Sequence, residues 1–138
     1  MKRSRAARRT LWTRLLDWTQ SLTRPMPLGA RGERAAENHL KRHGYRIVAR
    51  NFRAAGAEID LVAMDGDTLV FVEVKTRRSF GAGAPEEAVD ERKQSRLRRA
   101  GEAFAIQYRV GERAMRFDIV AVDASGARFG IEILRNAF

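Results

Sequence analysis

Residues 57–75 read AEIDLVAMDGDTLVFVEVK. Two apolar runs flank Asp65-Gly66-Asp67, and Asp-Gly between alternating hydrophobics is the strongest short-range hairpin signal. Glu58–Met64 and Leu69–Lys75 are therefore expected as antiparallel neighbours. Side chains alternate faces along a strand. That puts Glu58, Asp60, Val62 and Met64 on one face of the first strand, with Ile59, Leu61 and Ala63 behind them. On the second strand it groups Leu69, Phe71, Glu73 and Lys75, backed by Val70, Val72 and Val74. Each strand has one wholly apolar face and one that turns charged at the end far from the turn.

Register decides whether the charges meet. A two-residue loop at Asp65-Gly66 pairs Met64 with Asp67 and leaves Asp60 diagonal to Glu73. A four-residue loop sets Asp60 directly opposite Glu73. A one-residue slip would send them to opposite faces. With an even loop, Asp60, Glu73 and Lys75 share a patch. Oxygen ligands at short range suit a hard divalent cation such as magnesium. An adjacent lysine can orient a metal-bound water or help deprotonate it. Read from the residues alone, the same pattern also describes the solvent-facing end of an edge strand, since a D…ExK string is short.

Working outward, residues 29–43 form a first helix with sparse apolar positions at Ala35, Ala36 and Leu40. Glu33 falls on the face of Ala36 and Leu40, so it points either to the rim or into a shared site. His39 and His43 are spaced i, i+4 like a metal pair. No third ligand is placed nearby, and they are read as solvated. Gly44 is the C-terminal glycine of that helix, and residues 45–52 are a first strand. Residues 76–83, TRRSFGAG, are a basic loop in which Arg77 and Arg78, directly after Lys75, are open between phosphate contact and ordinary loop charges. Pro85 suits the first turn of a short helix. Asp90 is an N-cap, followed by a long helix to about Tyr108 with a buried stripe at Leu97, Ala100, Phe104 and Tyr108. Gln94 begins that stripe, and its amide must find a partner. Arg92, Arg96 and Arg99, with Lys93 adjoining, make a positive line on another face. It is open between phosphate contact and an ordinary solvated surface. Strands at 115–123 and 128–134 complete a mixed sheet flanked by helices, in the order α-β-β-β-α-β-β.

The 138 residues suit one domain with a tail. There is no cysteine, so a disulfide framework and a thiolate metal site are excluded. The net charge is +10. Residues 1–28 hold seven basic residues against Asp17, which leaves +6 there and +4 for the rest. Strong positive charge is the footprint of a nucleic-acid or anionic-membrane partner. No apolar run is long enough to span a bilayer. Leu11, Leu15, Trp18 and Leu22 form one helical stripe among the arginines, ended by Pro25-Met26-Pro27. It is read as a basic arm and not as a membrane anchor.

GYRIVARNF at 44–52, EIDLV at 58–62 and GDTLVFVEVKTRRS at 66–79 resemble the YraN family of bacterial proteins. So do PEEAVDERKQSRLRRA at 85–100, RFDIVAV at 116–122 and RNAF at 135–138. The resemblance covers about residues 29–138. It divides the chain into a basic amphipathic extension, 1–28, and an endonuclease-like domain, 29–138. The family in turn resembles the PD-(D/E)XK nucleases, notably Holliday-junction resolvases. This implies a restriction-endonuclease-like α/β (α+β) core and a Mg²⁺ or Mn²⁺ site. The carboxylates of Asp60 and Glu73, the Val74 carbonyl and Glu33 would hold the ion. Lys75 and Gln94 would complete the catalytic set. Arg77, Arg78, Arg92, Lys93, Arg96 and Arg99 would bind nucleic acid. The expected function is a metal-dependent endonuclease acting on branched or flapped DNA, in the cytoplasm, with homodimerisation as in related resolvases. The alternative is a non-catalytic nucleic-acid-binding accessory protein on the same fold.

Overall fold

The computed structural model describes residues 25–79, Pro85 and 89–138. These form helix α1 (Leu28–Arg42), strands β1 (Arg46–Ala54), β2 (Ala57–Asp65) and β3 (Thr68–Arg77), helix α2 (Glu91–Gln107), and strands β4 (Met115–Asp123) and β5 (Gly130–Leu134). The expected order of elements is the observed one. The five strands make one sheet in the order β1-β2-β3-β4-β5. Only β3 and β4 run parallel. A parallel pair needs a crossover connection, and α2 lies in it. The stripe of Leu11, Leu15, Trp18 and Leu22 lies outside the described residues, as does most of the short helix expected at Pro85.

The central hairpin pairs Met64 with Leu69 and Leu61 with Val72. This is the register expected for the four-residue connection, not for a two-residue turn at Asp65-Gly66. The ladder continues one pair further, to Asp65↔Thr68, so the turn residues proper are Gly66 and Asp67. Gly66 has φ 58°, a conformation that costs a residue without Cβ little. The β1–β2 turn is equally short. It consists of Ala55 and Gly56, both at positive φ, 52° and 73°, as a hairpin of type I′ requires.

Both helices are closed off by their own sequence. At the end of α1 the Gly44 N–H donates to the Lys41 carbonyl at 3.1 Å and the Tyr45 N–H to the Leu40 carbonyl at 3.0 Å. This is the Schellman pattern, with Gly44 at φ 87°. At the start of α2, the Lys93 N–H donates to Asp90 Oδ1 at 2.8 Å. The helix ends at Gln107, one residue before the expected limit. Tyr108 is consequently its cap, 56% exposed, and leaves the buried stripe.

The sheet separates two cores. On one face α2 lays Leu97, Ala100 and Phe104 over Ile59, Val62, Met64, Leu69, Phe71 and Ile119. On the other, α1 lays Ala36 and Leu40 against Leu61, Ala63, Val70, Val72, Val120 and Val122. Two glycines set how closely the helices approach. A Cβ on Gly101 would stand 2.9 Å from the rings of Phe71 and Phe117, and one on Gly32 would stand 1.8 Å from Thr76 Oγ1.

Strict alternation fails at two places. Ile59 belongs with Val62 and Met64, not with Leu61 and Ala63. The cause lies across the ladder on β1. Asn51, between the pairs Arg50↔Leu61 and Phe52↔Ile59, has φ 51° and breaks the pleat. Beyond it Phe52 and Ile59 both face α2. A second irregularity, a bulge between Ile47 and Ala49, leaves Val48 46% exposed.

At the turn end of the hairpin sits a polar network built on Asp118, which is wholly buried. Its carboxylate accepts from Arg116 Nε at 3.0 Å, from the Asn136 N–H at 2.9 Å and from the Tyr45 hydroxyl at 3.3 Å. Arg116 Nη2 also donates to Asp65 Oδ2 at 2.7 Å. Asp118 thereby ties β4 to Tyr45 and Asn136, Arg116 extends the network to Asp65, and buried charge is tolerated because every oxygen is bonded.

Candidate functional site

β2 and β3 part at Asp60 and Glu73. Their ladder ends at Leu61↔Val72. Before that pair β2 is bonded only to β1, and beyond it β3 is bonded only to β4. The Val74 N–H therefore lies past the last β2 partner, and the Asp60 side chain takes it instead, Oδ2 accepting at 2.7 Å. A buried backbone donor needs an acceptor, and here a carboxylate supplies it at the point of divergence.

The fork opens into a cleft of ≈ 400 Å³ on the α2 side. Asp60 and Glu73 line it from the sheet, Glu58 from the start of β2, and Arg92, Lys93 and Arg96 from the first turns of α2. Negative charge is concentrated here. Burial pushes Asp60 up to about 7, reinforced first by the charge of Glu73 and then by Glu33 and Glu58, with the Val74 N–H acting against them. Glu33 is raised by partial burial, then by Glu58 and Glu73. It comes from α1, on the face opposite α2. The parting of the strands is thus where both helical layers act on the same group.

Two amines answer this charge. Glu73 is 7% exposed, and its Oε1 lies 2.5 Å from Lys93 Nζ and 3.8 Å from Lys75 Nζ. Burial and the neighbouring Lys93 ammonium push the Lys75 amine down. Burial also acts on Lys93, but the hydrogen bond and charge of Glu73 outweigh it and raise that amine. An amine held below its ordinary range next to an acidic pair is chemically useful, because it loses a proton more readily than a solvated lysine.

The other residues singled out from the sequence fall in several places. Lys93, expected to adjoin the positive line, leaves it for Glu73. Arg92 and Arg96 are exposed at the cleft mouth. Arg99 is exposed one turn further on and does not line the cleft. Arg77 ends β3 opposite Asp123, and Arg78 follows it exposed. Gln94 does find a partner, donating from Nε2 to the Val89 carbonyl at 2.9 Å, and is not among the lining residues. His39 and His43 touch each other, ring centroids 4.1 Å apart, and the His43 ring nitrogen meets the His39 carbonyl. Sequence reading missed the Lys93–Glu73 contact and Gly32. The signal for the first was Asp90, whose cap fixes where the first turn of α2 points. For the second it was a glycine inside a helix, which costs stability unless close packing requires it.

The donor set fits a hard divalent ion: carboxylate oxygens, partly buried, in mutual repulsion and already drawing ammonium groups. Among the described residues no three His, Cys, Asp or Glu side chains form a metal cage by themselves. Magnesium does not need one, since it keeps waters and is commonly held by one or two carboxylates plus substrate phosphate.

Residues 32–122 match the family model described as Uncharacterised protein family UPF0102. The chain is 45% identical over 111 residues to a UPF0102 protein of Geobacter metallireducens, covering 80% of this chain and 91% of that one. It is 46% identical over 112 residues to a UPF0102 protein of Geobacter sulfurreducens, with 80% and 88% covered. With one from Chlorobaculum tepidum it shares 42% identity over 120 residues, covering 83% and 93%.

Proposed function

The chain belongs to the UPF0102 family, which is the YraN family its motifs resemble, and from that premise we propose that it is a divalent-metal-dependent DNA endonuclease. The observation that carries this reading is the fork: Asp60 and Glu73 line one cleft where β2 and β3 part, its mouth rimmed by Arg92 and Arg96, and Lys75 Nζ stands 3.8 Å from Glu73 Oε1. Mg²⁺ or Mn²⁺ held by Asp60 and Glu73 would act as a Lewis acid on a phosphodiester and its attacking water. The rest falls to the chain's own groups. Lys75, with a lowered amine pKa beside Glu73, orients the attacking water and takes up or shares its proton. Arg92 and Arg96 hold flanking phosphates as bidentate donors. Glu33 adds negative charge from the far side of the fork. Branched or flapped DNA is the substrate class that the resolvase resemblance supports.

The test is cleavage of a panel of branched, flapped and linear DNAs in Mn²⁺. Asp60→Ala and Lys75→Ala are expected to abolish cutting while retaining binding. Intact wild-type protein that leaves the whole panel uncut would overturn the reading. A second reading, a nucleic-acid-binding accessory without turnover, draws support from the way Lys93 already occupies Glu73. Under it, DNA affinity falls steeply with salt and is indifferent to Asp60. Calorimetry with Mn²⁺ on wild type and Asp60→Ala separates the two.

A further inference from the structure

Lys93 sits oddly for a phosphate-binding side chain. Its neighbours Arg92 and Arg96 extend to the cleft mouth, exposed. Lys93 instead folds inward, and its ammonium lies 2.5 Å from Glu73 Oε1, closer than Lys75 at 3.8 Å. The contact joins α2 to β3 across the cleft, on a carboxylate that is 7% exposed. The backbone holds the lysine there as well, since the Lys93 N–H is bonded by the Asp90 cap. Of the two ammonium groups beside it, the one from Lys93 therefore stands in hydrogen-bond contact with the carboxylate that the proposed ion would need.

We propose that Lys93 is a built-in counter-cation of the site, holding Glu73 in the ion-free protein and yielding it when a divalent cation binds. This rests on the cation-site reading above. Physically, two cations cannot share one carboxylate oxygen at contact distance without strong repulsion. An ion entering at that oxygen displaces Lys93 from Glu73. The released side chain, on a flexible stem, then lies between Arg92 and Arg96 on the same helical turns, where a phosphate would be gripped. The contact that blocks the site without an ion thus becomes a phosphate contact when one is present.

Isothermal titration of the full-length protein with MnCl₂ at pH 8 tests this, with Lys93→Met, Lys93→Arg, Arg96→Met and Asp60→Ala beside the wild type. Lys93→Met keeps the apolar stem and removes the competitor. It should bind Mn²⁺ about tenfold more tightly, equivalent to about 1.4 kcal/mol. Lys93→Arg keeps the charge and should bind like wild type. Arg96→Met removes the same charge from the mouth and should change the affinity much less than Lys93→Met. Equal or weaker binding by Lys93→Met overturns the proposal while leaving the cation site standing. An equal gain from Arg96→Met also overturns it, because the effect would then be bulk charge. Absence of Asp60-dependent Mn²⁺ binding in every variant removes the cation-site reading, and this inference with it. Thermal melts give a second readout. Lys93→Met should melt lower than wild type without cation, and Mn²⁺ should close the gap.

Discussion

Asp60 bears opposing demands: it must accept the Val74 N–H, and it faces other carboxylates while being buried. Its pKa near 7 has a consequence for stability with a definite sign. The folded state keeps a proton that the unfolded chain releases near 3.8. Between these values folding takes up a proton, so without divalent cation stability falls as pH rises, by at most roughly 1.4 kcal/mol per pH unit. Asp60→Asn should flatten that slope in denaturant titrations run from pH 4 to 8. Asp118 differs, being buried with every oxygen bonded. Asp118→Ala leaves Arg116 Nε and the Asn136 N–H without their acceptor and should cost about 3–5 kcal/mol, read as a lowered denaturation midpoint with unchanged m-value. At this scale the sequence was partly legible. Helical spacing required a partner for the Gln94 amide, but the partner, the Val89 carbonyl, belongs to an irregular segment that periodicity does not describe. It placed Lys93 beside Arg92. The reach to Glu73 depends on how the crossover seats α2 against β3, which spacing along the chain does not contain.

The elements were easier to read than their junctions. Asp-Gly between alternating runs, the Asp90 cap and Gly44 each act through a neighbour within five residues, so local chemistry sufficed. Alternation treats a strand as evenly paired along its length. It therefore gave the shared face of Leu69, Phe71 and Glu73 but not the fork after Val72, nor the turned side chain of Ile59, whose partner Phe52 follows a left-handed Asn51. Closest approach between layers also goes unseen until the sheet is assembled. Gly101 is the example. Alanine there gains about 1 kcal/mol of helix propensity, but its Cβ would meet two core rings at 2.9 Å, and overpacking typically costs 1–3 kcal/mol. Gly101→Ala should be destabilising by about 1 kcal/mol in urea titrations. Gly32→Ala, facing the Thr76 hydroxyl at 1.8 Å, should cost more and shift α1 relative to Lys75. On the proposed endonuclease reading, cleavage of DNA by this variant should fall further than its stability does.

For the molecule as a whole, the succession of elements was legible because strands and helices each carry their own hydrophobic period along the chain. Charge was legible as a total, +10, but not as a distribution over the folded surface. Arg92 and Arg96 mark one outlet for it, at the cleft. Replacing both with glutamine should reduce the slope of log affinity against log salt for duplex DNA by about 2, measured by anisotropy. The same change should leave thermal stability nearly unaltered, since both side chains are exposed. The outermost strand shapes the molecule's encounters in another way. β1 is kinked twice in nine residues, once where Val48 is pushed outward and once at Asn51. A straight rim invites another polypeptide to add itself as a sixth strand; a crooked one spoils the match. The kinks therefore act as a guard against fibril-like stacking. Deleting Val48 to straighten the rim should show up as slow growth in light scattering on concentrated samples.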